Sequence, residues 1–235
     1  MRLDHYLVAK GLVESRNKAQ QLIQEGHVRV NAKVTTKASL QIGTEQISVD
    51  AIRVYVSRSA QKLKHFLPEL PFCVKGMRAL DIGASTGGFT EVLLEFGAQH
   101  VDAVDVGQGQ LHERLKRDKR VTSIEQTDIR QFTCELPYDI VVSDVSFISL
   151  ILILDNINIL ASQWMVLLFK PQFEVGREVK RDRHGVIKDN RAVMRAMQRF
   201  EDACTLQGWV LVLKKEASLR GREGNIEYCY CYRKH

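Results

Sequence analysis

The stretch "LDIGASTGGFT", Leu80 to Thr90, decides the fold. An apolar run carrying Asp81 enters a loop with Gly83, Gly87 and Gly88, and a helical pattern starts near Gly87. Such a strand–loop–helix unit aims backbone N–H groups at whatever anionic group the loop holds. A phosphate-binding loop needs GxxxxGK[ST], whose lysine touches phosphate, and a dinucleotide fold needs GxGxxG. From Gly83 the order is Gly-Ala-Ser-Thr-Gly-Gly, lacking that lysine and the second glycine that lets pyrophosphate approach.

Downstream, "VDAVDV" ends near Asp105, about twenty residues on, the usual distance for a ribose-binding acid. Asp128 stands just after a third strand-like run. This series fits S-adenosylmethionine. That ligand has no phosphate; it has an ammonium for the neighbourhood of Asp81 and a carboxylate for backbone N–H groups. It also has ribose hydroxyls for Asp105 and an adenine amino group for Asp128. The expected donor site is Asp81, Gly83, Ser85, Thr86, Gly87, Gly88, Phe89, Asp105, Asp128 and Asp144.

From residue 57 on, strand-like runs ("RALDI", "VDAVDV", "RVTSIE", "DIVVSD", "WMVLLF", "GWVLVLKK", "IEYCYCY") alternate with helical patterns at 88–96, 108–117, 148–161 and 190–206. Near-continuous apolar strands between helices predict a doubly wound, mostly parallel, Rossmann-like α/β sheet covered on both faces. No helix separates the last two strands, which predicts an antiparallel last strand. Residues 2–49 read differently. Leu3 and Leu7, then Ala19, Leu22 and Ile23, share helical faces, Ser15 is a candidate N-cap, and "HVRVNAKV" alternates through an Asn31-Ala32 turn. The expected organisation is a small α+β unit (helix–helix–hairpin) over 1–49, an extended connector over 50–56, and an α/β domain over 57–235.

Four polar residues stand in unusual company. Asp144 ends one strand and Lys170 the next, where ligands of open α/β sheets bind. Glu227 reaches the same edge if the last strand is antiparallel, and Lys62 lies in "SRSAQKL". Five apolar residues precede Lys170 and Pro171 follows, an unusual setting for a lysine. A Lys–Asp–Lys–Glu group beside a methyl donor suits a hydroxyl, which needs a base or orienting contact and a positive charge for the developing alkoxide. Burial and Lys62 would favour proton loss from Lys170, whereas Asp144 and Glu227 would oppose it, so the carboxylates are read as positioning the lysines. No metal is demanded, because the sulfonium is already a good leaving group.

These residues resemble a known family. The chain is similar over essentially its whole length to the haemolysin A (TlyA) family of FtsJ-like ribosomal RNA 2′-O-methyltransferases. "RLDHYLVAKGLVESRNKAQQLIQEGHVRVN" resembles that family's ribosomal-protein-type RNA-binding module. "SRSAQKL", "LDIGASTGGFT", "AVDVGQGQL", "SDVSFISL", "KPQFEVGR" and "GNIEYC" follow in family order. The resemblance implies S-adenosylmethionine as cofactor, a catalytic tetrad of Lys62, Asp144, Lys170 and Glu227, and a cytidine ribose of ribosomal RNA or ribosomal subunits as substrate. Departures are Ser59 where glycine is usual, Ser218-Leu219 where Ser-Pro is frequent, and Asp128 where asparagine is common.

Composition agrees with an RNA partner. Lys and Arg number 34 against 28 acids, a formal charge of +6 over 235 residues. Arg2, Arg16, Lys18, Arg29 and Lys33 are the expected phosphate contacts, with a structural role as the alternative for Arg2. Five cysteines without a CxxC pair argue for reduced, buried thiols in a cytosolic protein and against a zinc site. No apolar run approaches the ~20 residues of a membrane span, and no signal-peptide core opens the chain, so a cytoplasmic protein is expected. A membrane-active cytolysin finds no amphipathic basic helix here. A catalytically silent RNA-binding protein is opposed by the intact tetrad. A pseudouridine synthase, which can carry a similar N-terminal module, is opposed by the strand–helix alternation.

Overall fold

The computed structural model describes residues 1–49, 55–176 and 178–235. The chain forms two compact units, Met1–Val54 and Tyr55–His235. In the first, α1 (Leu3–Ala9) and α2 (Arg16–Gln24) precede β1 (Val28–Val30), β2 (Lys33–Val34) and β3 (Ile47–Val49). The Ser15 hydroxyl accepts from the Lys18 N–H at 3.3 Å, satisfying an amide that a helix start leaves unpaired. Leu3, Leu7, Ala19, Leu22, Ile23 and Val28 share one core. Asn31 and Ala32 both take positive φ, 47° and 67°, as a two-residue hairpin turn requires. The hairpin reading is incomplete, because β3 pairs with the other edge of β1 to give the order β2-β1-β3. Three residues are too few to display a period of two.

The second unit runs α3 (Ala60–Phe66), β4 (Arg78–Ile82), α4 (Gly88–Glu95), β5 (His100–Val104), α5 (Glu113–Lys116), β6 (Val121–Ile124) and β7 (Tyr138–Ser143). It continues through α6 (Leu154–Leu160), β8 (Ala161–Phe169), α7 (Pro171–Glu174), α8 (Asn190–Leu206), β9 (Trp209–Glu216) and β10 (Tyr228–Lys234). The seven strands form one sheet in the order β6-β5-β4-β7-β8-β10-β9. β6, β5, β4, β7 and β8 are parallel, and β10 is antiparallel to both its neighbours. This is the doubly wound sheet with an antiparallel last strand that the alternation predicts. Successive β10 side chains point to opposite faces, so Cys229 and Cys231 enter one core and Tyr230 and Tyr232 the other. Of the five free cysteines, Cys204, Cys229 and Cys231 are buried as expected, but Cys73 is exposed.

Three readings change. The pattern at 108–117 is α-helical only over α5, and 148–161 divides into a 3-10 turn at Leu150–Ile153 and α6, with Ala161 passing to β8. Periodicity alone does not divide one continuous apolar stretch between a helix and a strand. The connector at 50–56 lies outside the described residues through position 54. Tyr55 and Val56 belong to the second unit: Tyr55 is buried with its hydroxyl on Glu95, and the Val56 N–H donates to Glu91 Oε2 at 2.8 Å. α7 opens with Pro171 at its first position, where a helix does not need the missing N–H.

Strand order reverses about β4 and β7, which opens a crevice at their carboxyl ends. Asp105, Asp144 and Lys170 each follow directly on β5, β7 and β8 or their terminal loops. β10 runs the other way, with Tyr228 opposite Phe169, so Glu227 arrives at the same edge.

Candidate active site

Lys170 Nζ lies 2.7 Å from Asp144 Oδ1, 2.8 Å from Ser146 Oγ and 3.3 Å from the Asp144 backbone oxygen. Lys62, on α3, lies 2.5 Å from Glu227 Oε2, and Gln172 Nε2 donates to Glu227 Oε1 at 3.2 Å. Lys62, Lys170 and Glu227 are 7%, 8% and 3% exposed, so these charges are buried and need the partners they have. The four expected residues thus form two lysine–carboxylate pairs, each lysine holding its own carboxylate.

Three contiguous cavities meet here. A cleft of about 760 Å³ is lined by Lys62, Lys170, Gln172 and Glu227. A cavity of about 150 Å³ is lined by Asp81, Gly83, Ser85, Phe89, Asp144 and Lys170. A third, of about 410 Å³, is bounded by Gly83, Ser85, Asp105, Asp128 and Asp144. Ser146 belongs to all three walls, and Lys170 faces both the small cavity and the large cleft.

The residues expected to hold the donor sit in distinct surroundings. Asp81 is fully buried; its Oδ2 accepts from the Thr90 N–H at 2.8 Å and hydroxyl at 2.6 Å, while Oδ1 is buried without a hydrogen-bond partner among the described residues. Burial pushes this carboxyl up to about 7, against the Thr90 hydrogen bonds, and the charges of Asp144 and Asp105 push the same way. An orphaned buried carboxylate oxygen in the wall of a small cavity fits a cationic ligand group such as the ammonium of S-adenosylmethionine. Asp105 accepts from the Ser85 N–H at 2.8 Å and the Gly107 N–H at 2.7 Å, pinning the glycine loop to the end of β5. Its carboxylate borders the 410 Å³ cavity, and each oxygen can accept a further hydrogen bond. The Asp128 carboxylate, expected to face adenine, is gripped by Arg130, whose guanidinium holds it down at about 2.

Thr86, Gly87 and Gly88 are not among the residues lining these cavities. Gly87 caps α4 at φ 95°, where a Cβ would run into Leu115 and Leu111. A Cβ on Gly88 would lie 2.5 Å from Ser59 Oγ and 3.1 Å from the Ala60 nitrogen. Both glycines therefore have packing reasons: they let α4 close against the start of α3 and against Leu111 and Leu115. Ser59 and Leu219, the two departures from the family pattern, both line the large cleft.

In the first unit, Arg2 Nε and Arg16 Nε each lie 3.0 Å from an oxygen of the fully buried Asp4, and Gln20 donates to it at 2.9 Å. These two expected phosphate contacts are thus also structural, with side chains still 38% and 51% exposed. Lys18 Nζ donates to Gln21 at 3.3 Å, while Arg29 lies on β1 and Lys33 on β2.

Sequence reasoning did not single out Ser146, Gln172 or Phe147. Phe147 is 92% exposed at a positive φ of 67°, its ring 5.2 Å from that of Phe173, and it borders two of the cavities. Loop residues after a strand carry no periodic sign, so only the folded edge reveals them.

Residues 55–234 match the FtsJ-like methyltransferase family, and residues 1–47 match the S4 domain. The chain is 42% identical, over 99% of both chains, to the 23S rRNA (cytidine-2'-O)-methyltransferase TlyA of Campylobacter jejuni. It is also 42% identical, over 97% of this chain and 87% of the other, to the 16S/23S rRNA (cytidine-2'-O)-methyltransferase TlyA of Mycobacterium tuberculosis. A solved structure of a hemolysin-named protein from Streptococcus thermophilus superposes with a TM-score of 0.74 at 33% identity, covering 100% of this chain and 88% of that one. Among the described residues no helix is long and apolar enough to cross a membrane. An S4 domain followed by an FtsJ-like methyltransferase domain, with such identity over nearly full length, establishes that the chain belongs to the haemolysin A (TlyA) family.

Proposed function

We propose that this protein methylates the 2′-hydroxyl of a cytidine ribose in ribosomal RNA, with S-adenosylmethionine as donor. The observation that carries the reading is Lys170, a buried, ion-paired lysine in the walls of both the small donor cavity and the large cleft. The relatives' printed activities support the choice of ribose, cytidine and ribosomal RNA.

When bound, S-adenosylmethionine supplies an electrophilic methyl group on a sulfonium. Asp81 Oδ1 would receive the ammonium end, Gly83, Ser85 and Phe89 would border the amino-acid portion, and Asp105 with the Asp128–Arg130 pair would border the nucleoside. Lys170 Nζ orients the attacking hydroxyl and stabilises negative charge growing on its oxygen. The hydroxyl proton passes to Lys170 Nζ as that nitrogen hands a proton to Asp144 Oδ1, 2.7 Å away, so the cation is retained where charge develops. Lys62 and Glu227, braced by Gln172 in the wall of the same cleft, hold the ribose in place. The exposed ring of Phe147 offers a face on which a base can stack. Arg2, Arg16, Lys18, Arg29 and Lys33 of the S4 domain take RNA phosphates, with Asp4 holding the first two in place.

The test is tritiated-methyl transfer to unmodified ribosomal subunits and to naked ribosomal RNA. Wild type is expected to place label on a ribose, and Lys170→Ala to lose at least about 10²-fold in rate while remaining folded. Label mapping to a base, or a Lys170→Ala rate close to wild type, removes the reading.

A further inference from the structure

The loops at residues 178–189 and 218–225 bring Arg181, Arg220 and Arg222 to the rim of the large cleft. The first loop doubles back: Arg181 and Ile187 form a β-bridge, and Asp182 Oδ1 accepts from the His184 and Val186 N–H groups. Asn225, 4% exposed, fastens the second loop to it. Its Oδ1 accepts from the Ile187 N–H at 2.9 Å and its Nδ2 donates to the Gly185 oxygen at 3.2 Å. A buried amide used at both ends makes the two loops one piece. Glu227 lies two residues beyond Asn225, so the same piece carries the site's carboxylate.

The charge on this piece is unbalanced. All three arginines are exposed. The Arg181 guanidinium is steadied by the backbone oxygens of Val179, at 2.9 Å, and Gln172, at 3.3 Å. Arg220 and Arg222 have no carboxylate at ion-pair distance among the described residues; Glu223 lies beside them on the rim, and the Glu227 carboxylate in the same cleft is held by Lys62 and Gln172. A guanidinium presents a planar fork of N–H donors that matches a phosphate, which an ammonium does not.

We propose that Arg181, Arg220 and Arg222 form a phosphate clamp, built into the methyltransferase domain, that grips the RNA backbone beside the target ribose. This deepens the RNA reading above and rests on it. The clamp positions the strand and does not read its sequence, because phosphate contacts carry no base information. It acts in addition to the basic residues of the S4 domain.

The experiment uses the full chain and unmodified ribosomal RNA, with binding titrated across a salt series and methyl transfer followed in parallel. In the Arg220→Ala, Arg222→Ala double variant the slope of log affinity against log salt is expected to shrink by about 1.4–1.8, the loss of two phosphate contacts. The KM for RNA rises more than kcat falls. The Arg220→Lys, Arg222→Lys variant keeps the wild-type slope but binds more weakly, since the charge stays and the fork goes. Thermal melting shows that both variants are folded. Affinity and slope unchanged in the alanine variant overturn the clamp, while wild-type methyl transfer leaves the RNA reading standing. A shrunken slope without any wild-type methyl transfer supports the clamp and sinks the methylation reading instead.

Discussion

Asp4 in the S4 domain and Asp81 in the methyltransferase domain are both completely buried, yet they live in opposite surroundings. Asp4 accepts from Arg2, Arg16, Gln20 and the His5 N–H, so both its oxygens are served and two cations stand against it. The Arg2 hydrogen bonds, with those of Gln20 and Arg16, hold its carboxyl far below the usual carboxylate range, although burial alone would raise it. Asp81 has Thr90 on one oxygen and nothing on the other, with Asp144 and Asp105 as its charged neighbours. A saturated buried carboxylate is architecture. An unsaturated one facing a cavity costs stability and remains favourable only if a ligand completes it.

The largest effect separating the two is expected from Asp81→Asn. Donor affinity should fall by roughly 10- to 100-fold, the worth of a charge-assisted hydrogen bond of about 1.5–3 kcal/mol. The melting temperature should stay level or rise, because an unpaired buried charge has been removed. Calorimetric titration with S-adenosylmethionine and a melting curve on the same protein read both. Loss of stability without loss of donor affinity would make Asp81 a structural residue like Asp4.

Asp4→Ala should show the reverse at smaller size. Arg2 and Arg16 are part exposed and can turn to water, so the cost is the lost hydrogen bonds, about 1–3 kcal/mol confined to the S4 domain. Hydrogen exchange of the α1 and α2 amides should quicken while donor affinity holds. RNA affinity should also drop, since the two guanidiniums proposed to take phosphates lose their anchor. Unaltered exchange in α1 and α2 would show that Asp4 does not organise that unit.

The same contrast marks what sequence alone makes legible. The sheet is readable because its central strands are dense apolar runs separated by turn or helix signals. β10 is the clearest case, since "YCYCY" has apolar character on both faces. Lys170 draws the eye because a lysine after "MVLLF" contradicts its surroundings. Asp128 is read less well: its place after β6 is visible, but its capture by Arg130 two residues on depends on a local turn that periodicity does not encode. Gly87 and Gly88 look like ligand contacts in the motif and turn out to have steric partners in Leu115 and Ser59, distant in sequence. Asp4 and Asp81 look alike on paper, each an acid directly after a leucine. Their difference lies in who arrives from elsewhere in the chain, which for Asp4 includes residues 12 and 16 positions away.

The smallest effects, and the finest test, come from pH. Asp81 has a folded value of about 7 against 3.8 for the free side chain. Between those values the folded protein holds a proton that the unfolded chain has released, so stability falls as pH rises through this window, by at most about 4 kcal/mol. Asp4 has the opposite sign: its folded value is depressed, so its contribution is complete above about pH 4 and is lost as pH falls below that. Amide exchange in the donor-free protein should therefore show the methyltransferase domain gaining protection from pH 7.5 to 5.5, while the S4 domain stays level until about pH 4. Donor binding sharpens the contrast, because the ammonium needs Asp81 ionised. Affinity should weaken toward tenfold per unit below pH 7, and binding at pH 6 should release a proton, visible as a binding enthalpy that varies with the ionisation heat of the buffer. An affinity that is level from pH 7.5 to 5.5, with no proton released, would break the link between a proton on Asp81 and donor binding on which this contrast rests.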